Sequence, residues 1–254
     1  METTTRSGDL SGTRFEGAVL RGARFVESDL TGVVMRGVEV RGLEIDAPWL
    51  ADGDGGLLVN GVDVTPFVEA ELDRRFPGRS QRYARDPDGL RAAWAALERT
   101  WAATLERVAG MPDGTTDVQV DGEWSFAQTL RHLVLATDVW LRRAVLGVEQ
   151  PFHPLGLVDS GAASSGLDLS VLTTATPTYA EVLEARADRV ATVRDHLGGV
   201  TADDLAVPRA NPWSPEHPET TLSCLHTILE EEWEHHRFAV RDLDSIEAAS
   251  RGLG

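Results

Sequence analysis

The chain has 254 residues, 42% of them hydrophobic and 26% charged, a composition that excludes a disordered chain, and no apolar run approaches the ~18 residues of a membrane span. The formal charge is −17, and all 24 basic residues are arginine. That excludes lysine Schiff-base chemistry and a P-loop lysine, and argues against nucleic acid or anionic lipid as a partner, because phosphate contacts need clustered cations. The single cysteine, Cys224, rules out an intrachain disulfide and any CxxC site. Met1-Glu2-Thr3-Thr4-Thr5 lacks the basic-then-apolar pattern of a secretory signal, so a cytoplasmic location is expected.

From Leu10 an apolar residue returns every five positions: Leu10, Phe15, Leu20, Phe25, Leu30, Met35, Val40 and Ile45. Small or modest side chains stand two places before most of them, and Gly12, Gly17, Gly22, Gly32, Gly37 and Gly42 two places after. A period of five fits neither a helix nor a strand. The stretch resembles the pentapeptide-repeat family, which implies a short right-handed β-helix of about two turns over residues 8–47. Leu43 at a small position and Glu27 at a glycine position depart from the pattern. A solenoid that short cannot enclose its own core, so it is expected to serve as a structural cap or a homodimer element rather than as a DNA mimic.

Residues 48–85 form a linker. Leu57 to Val64 predicts a hairpin with Asn60-Gly61 as a type I′ turn. Thr65-Pro66 predicts a short helix to about Phe76, with Thr65 as its cap. Four long helices follow over residues 86–247. The first starts at Asp86-Pro87, carries Leu90, Trp94, Leu97, Trp101, Leu105 and Val108 as a stripe, and stops at Gly110. The second starts at Ser125 with Gln128, and the third at Thr178 with Glu181, both capping boxes. The third ends at Gly198-Gly199, and the fourth runs from near Thr220 past Leu243. The long connection from Gly147 to Pro177 predicts a crossover or a lid. The expected fold is therefore α+β: an up-down-down-up four-helix bundle preceded by the repeat.

The last helix carries two Glu/His pairs four residues apart, Glu231/His235 and Glu232/His236. At roughly 100° per residue, Leu222, Leu225, Leu229, Trp233, Val240 and Leu243 fall within about 80° of one another. His236 lies inside that arc and Glu232 at its edge, whereas Glu231 and His235 point toward solvent. A carboxylate aimed into a bundle needs a partner, and a divalent metal shared with an imidazole is one. His132, on the second helix, would supply a third ligand and leave a position open for water or substrate. The competing reading is a solvated acidic face and a satisfied core histidine.

The segment Trp124-Ser125-Phe126-Ala127-Gln128-Thr129-Leu130-Arg131-His132-Leu133, together with the stretch from Glu232 to His236, resembles the DinB-like four-helix-bundle superfamily. Glu at the middle ligand position is similar to the subgroup of thiol-dependent enzymes that includes mycothiol-dependent maleylpyruvate isomerase. The resemblance implies a divalent metal on His132, Glu232 and His236, zinc or alternatively nickel. It also implies a transferase or isomerase that uses a mycothiol-like low-molecular-weight thiol on a small electrophile. A metal-dependent hydrolase and a non-enzymatic ligand-binding or stress-response module are the alternatives. Cys224 lies off the apolar arc, more than 120° from its centre, with no base beside it, which is consistent with an external thiol. His153, His217 and His226 are weaker candidates for the site's periphery. The tryptophans Trp94, Trp101, Trp140 and Trp233 are expected in the core.

Overall fold

The computed structural model describes residues 8–51, 55–158, 168–173, 175–214 and 216–252. Met1–Thr5, the middle of the Gly147–Pro177 connection and Pro215 lie outside them. The chain divides into two compact units after Asp46.

In the first unit the five-residue period is written in the backbone. Thr13, Ala23, Val33 and Leu43 donate their N–H to the carbonyls of Leu10, Leu20, Leu30 and Val40, closing a turn every ten residues. Gly12 and Gly22 hold the left-handed conformation at these turns (φ 73° and 72°), which a side chain adopts only with strain. Glu27 adopts it in place of a glycine, with φ 47°. No strand occurs among the described residues of this unit. The apolar residues of the period remain 48–62% exposed, from Leu30 to Phe15, so this stretch encloses no core of its own.

The second unit opens with the expected hairpin. Strands β1 (Leu58–Val59) and β2 (Val62–Asp63) pair antiparallel, with Val59 opposite Val62. Positive φ at Asn60 (51°) and Gly61 (81°) makes the type I′ turn. Helix α1 (Thr65–Arg75) follows. Thr65 does not cap it: its hydroxyl accepts the Leu57 N–H at 2.9 Å and ties the hairpin to the helix, while Val64 takes the cap position without a side-chain bond.

Helix α2 (Pro87–Ala109) is capped by Asp86, whose carboxylate accepts the Gly89 N–H, with Pro87 in the first turn. Helix α3 (Phe126–Thr137) begins with the Ser125/Gln128 box and helix α4 (Tyr179–Gly199) with the Thr178/Glu181 box. Beyond Thr137 the α3 axis continues through Asp138–Val145 as a wider π turn, in which the Leu146 N–H reaches the Leu141 carbonyl, five residues back. A short helix α5 (Ala202–Leu205) and the paired strands β3 (Pro208–Arg209) and β4 (Glu219–Thr220) lead into helix α6 (Thr221–Gly252).

Helix α2 packs against α4 and α6, and so does α3. Leu90, Leu97, Leu130, Leu133, Val182, Leu229 and Trp233 meet in the main core, none more than 1% exposed except Leu229 at 3%. Trp94, Trp101 and Trp233 are buried there and Trp140 is packed against it. A smaller cluster of Leu135, Val139 and Phe152 holds the start of the long connection against α3. Among the described residues no helix is long and apolar enough to cross a membrane.

Two expectations about α6 need correction. Cys224 is completely buried, not solvent-facing, and burial pushes its thiol up to about 11. It belongs to the main core cluster, with Leu197 of α4, Val200, and Leu205 of α5, which the leucine stripe of α6 alone does not reveal. Counting Cys224, Ile228, Glu232, Trp233, Glu234 and Ala239, the buried positions of α6 spread over about 260° at roughly 100° per residue. That is about three times the arc marked by the leucines, and Glu231 and His235 fall within it instead of on a far, solvent-facing side.

Candidate metal centre

Three side chains on two helices converge: His132 from α3 with Glu231 and His235 from α6, each offering a ligand atom within 4.8 Å of the others. The structure therefore brings His132 together with the Glu/His pair one residue before Glu232 and His236. The expected trio does not form. Glu232 and His236 are buried, as their place on the helix demands, but each is engaged elsewhere. Glu232 receives the Arg186 guanidinium from α4 on both carboxylate oxygens, at 2.6 and 2.5 Å. His236 Nε2 lies 2.8 Å from the Thr104 hydroxyl of α2, walled by Trp101 and Phe76. Burial pushes the Glu232 carboxyl up and the His236 imidazole down to about 4. A buried carboxylate does need a countercharge, and arginine supplies it here.

The converging trio is half-buried. The side chains of His132, His235 and Glu231 are 12%, 14% and 23% exposed, against 1% for Glu232. Glu231 Oε2 lies 3.3 Å from His132 Nε2 and 3.2 Å from His235 Nε2. Burial raises the Glu231 carboxyl, but the two imidazoles more than offset it and hold the group well below the ordinary carboxylate range. Burial lowers His235.

The tautomer of His132 follows from its other nitrogen. Nδ1 faces the Leu157 carbonyl at 3.2 Å, and a carbonyl only accepts, so Nδ1 carries the proton. Nε2 is then the nitrogen that faces the Glu231 carboxylate, 3.3 Å from Oε2, and a cation, a proton or a metal ion, fits between the two. The donor set suits a divalent metal. Two ligands bonded at about 2.0–2.1 Å to one tetrahedral ion stand about 3.3 Å apart, the spacing found between Glu231 and each histidine. A backbone carbonyl on the outer nitrogen of a ligand imidazole is the usual support of such sites.

The supporting elements are local and readable. The Ser125 cap starts α3 so that Trp124, just outside it, lies over the imidazoles of His132 (ring centroids 4.7 Å) and His235 (5.9 Å, nearly parallel). The strap 153–157 crosses α3 at the site. The Leu157 N–H bonds the Arg131 carbonyl, Arg131 Nε bonds the Leu155 carbonyl at 2.9 Å, and the His153 N–H bonds Asp138 at 2.7 Å. Asp138 is in turn held by Arg189. A Cβ on Gly156 would be tight, 3.2 Å from both the His153 carbonyl and Leu172 and 3.4 Å from Leu135, so a side chain there would have to push its neighbours aside.

The remaining histidines lie apart from the trio. His153 Nδ1 accepts the Leu155 N–H, and burial lowers its imidazole. His226 Nε2 meets the Ala84 carbonyl at 2.7 Å, and His217 is exposed. Among the residues of the site, Trp124 had no role assigned from sequence, and Glu231 and His235 were placed toward solvent.

Comparison with family models matches residues 96–239 to the DinB superfamily and residues 6–37 to the family of pentapeptide repeats. No curated protein and no solved structure matches the chain. With more than half of its length matched, the chain belongs to the DinB superfamily and carries pentapeptide repeats ahead of that domain.

Proposed function

We propose that the chain is a metal-dependent enzyme that uses a low-molecular-weight thiol on a small electrophilic substrate, with His132, Glu231 and His235 as the metal ligands. The observation that carries the metal is the convergence of His132 from one helix with Glu231 and His235 from another, all three ligand atoms within 4.8 Å of one another. A histidine from one helix and a Glu-x-x-x-His pair from the last keep the donor pattern of the thiol-dependent subgroup, one residue earlier than its sequence suggested. A divalent metal held there supplies Lewis acidity, which lowers the pKa of a thiol or a water in an open position.

The chain's own residues account for the rest. Glu231 supplies the negative charge that a dication requires. The Leu157 carbonyl fixes the His132 ring and its tautomer. Trp124 packs against both imidazoles and helps to hold the rings in place. The thiol is external, because Cys224 is fully buried and its thiol is pushed up to about 11. In this proposal the four long helices run up-down-down-up, the repeats coil as a right-handed β-helix, and the ion is zinc or nickel.

The test is turnover of a panel of small electrophiles by zinc-loaded protein, with and without an added thiol. Activity that needs the thiol and disappears in Glu231→Gln supports the proposal. Equal hydrolysis without thiol would replace it with the hydrolase reading.

A further inference from the structure

Five arginines are buried in the second unit: Arg79, Arg82, Arg131, Arg186 and Arg189. Four of them meet carboxylates. Arg79 and Arg82 share Glu69 and Asp73, Arg186 holds Glu232, and Arg189 holds Asp138. Arg131 is the exception. Its residue exposure is 9%, yet among the described residues its only side-chain partner is the Leu155 carbonyl, on Nε. A lone carbonyl does not neutralise a guanidinium, and a buried charge without a countercharge is costly. The anomaly stands out in a chain of net charge −17, where acids outnumber bases 41 to 24.

Its position gives the anomaly meaning. Arg131 directly precedes His132 on α3, and one strap serves both: the Leu155 carbonyl holds the guanidinium and the Leu157 carbonyl holds the imidazole. With Nε committed, the two terminal nitrogens remain as a fork, the geometry that takes a carboxylate with two parallel hydrogen bonds. One guanidinium carries one unit of charge, and the neighbouring Glu231 is itself anionic. A singly charged, planar carboxylate is matched there, whereas a phosphate dianion is not.

We propose that Arg131 is the anchor of a binding site for a small carboxylate beside the His132/Glu231/His235 centre. The site follows from the charge inventory alone and does not require a metal. Joined to the proposed function, on which this last step rests, it makes the substrate a carboxylate-bearing electrophile.

The test uses full-length, chelator-treated protein, so that no metal can take the carboxylate. The arginine Nε–H resonances are followed while sodium acetate is added at constant ionic strength, with inorganic phosphate as a second arm. A saturable shift of the Arg131 signal with acetate is expected, and phosphate should bind more weakly. Arg131→Met should weaken acetate binding by at least about tenfold, the scale of one charge-assisted contact. Arg131→Lys, which keeps the charge but loses the fork, should fall between. Absence of a saturable acetate response in the wild type, an equal response in Arg131→Met, or tighter binding of phosphate would each overturn the proposal. Because metal plays no part in these titrations, their outcome is separate from that of the metal reading.

Discussion

The Arg186 guanidinium of α4 reaches across the core to both carboxylate oxygens of Glu232 on α6, both residues being at most 5% exposed. This pair neutralises the most deeply buried acid of the last helix and leaves the adjacent Glu231 free to serve the half-open site. Breaking it should damage the fold and spare the site. Arg186→Met or Glu232→Gln alone should cost about 3–5 kcal/mol or less, since each leaves a buried polar group uncompensated, and the double variant should recover part of the loss. Urea unfolding of the three variants measures this.

Cys224 should be chemically silent in the native protein. Its side chain is inaccessible and its thiol is pushed up to about 11, so thiolate is scarce at neutral pH. Labelling by a disulfide reagent should appear only in denaturant, at a rate that follows unfolding. Cys224→Ala should keep the thiol-dependent activity intact. Fast labelling of the folded chain would contradict the burial.

Acid should weaken the fold through His236. Its folded pKa, about 4, lies below the ordinary 6.5, so the unfolded chain takes up the proton first. Stability is therefore greatest above about pH 6.5 and falls as pH drops toward about 4, by up to about 3 kcal/mol for this group. Burial lowers His196 in the same direction. Urea midpoints of chelated protein at pH 7.5 and 5 should show the loss, and His236→Gln should reduce the slope.

Much of the helical unit was legible because its signals are local. Asp86-Pro87, Ser125 with Gln128 and Thr178 with Glu181 each place a side-chain acceptor beside otherwise unpaired backbone N–H groups, and all three caps form. The sequence pointed to His132 and a Glu/His pair of α6, and the structure gathers His132 with the pair one residue before the expected one. A helical wheel drawn on the leucines of α6 located Glu232 and His236 inside correctly, but it cannot show which neighbour supplies the countercharge. The clue was Arg186, an arginine four residues after Val182 on the inward face of α4, where only a carboxylate partner makes it tolerable. Cys224 was misplaced for a related reason: the same wheel could not show that the core cluster extends to Leu205 of α5 and includes the thiol. Thr65 matched a cap pattern, but the Leu57 N–H claimed its hydroxyl, a contact that exists only once the hairpin has folded.

The most direct test is metal content by elemental mass spectrometry on purified wild type, His235→Ala and His236→Gln after equilibration with zinc. The ligand set His132, Glu231 and His235 predicts about one ion per chain in the wild type and in His236→Gln, and loss of the ion in His235→Ala. Retention in His235→Ala with loss in His236→Gln would contradict it, and so would a wild type that takes up no metal.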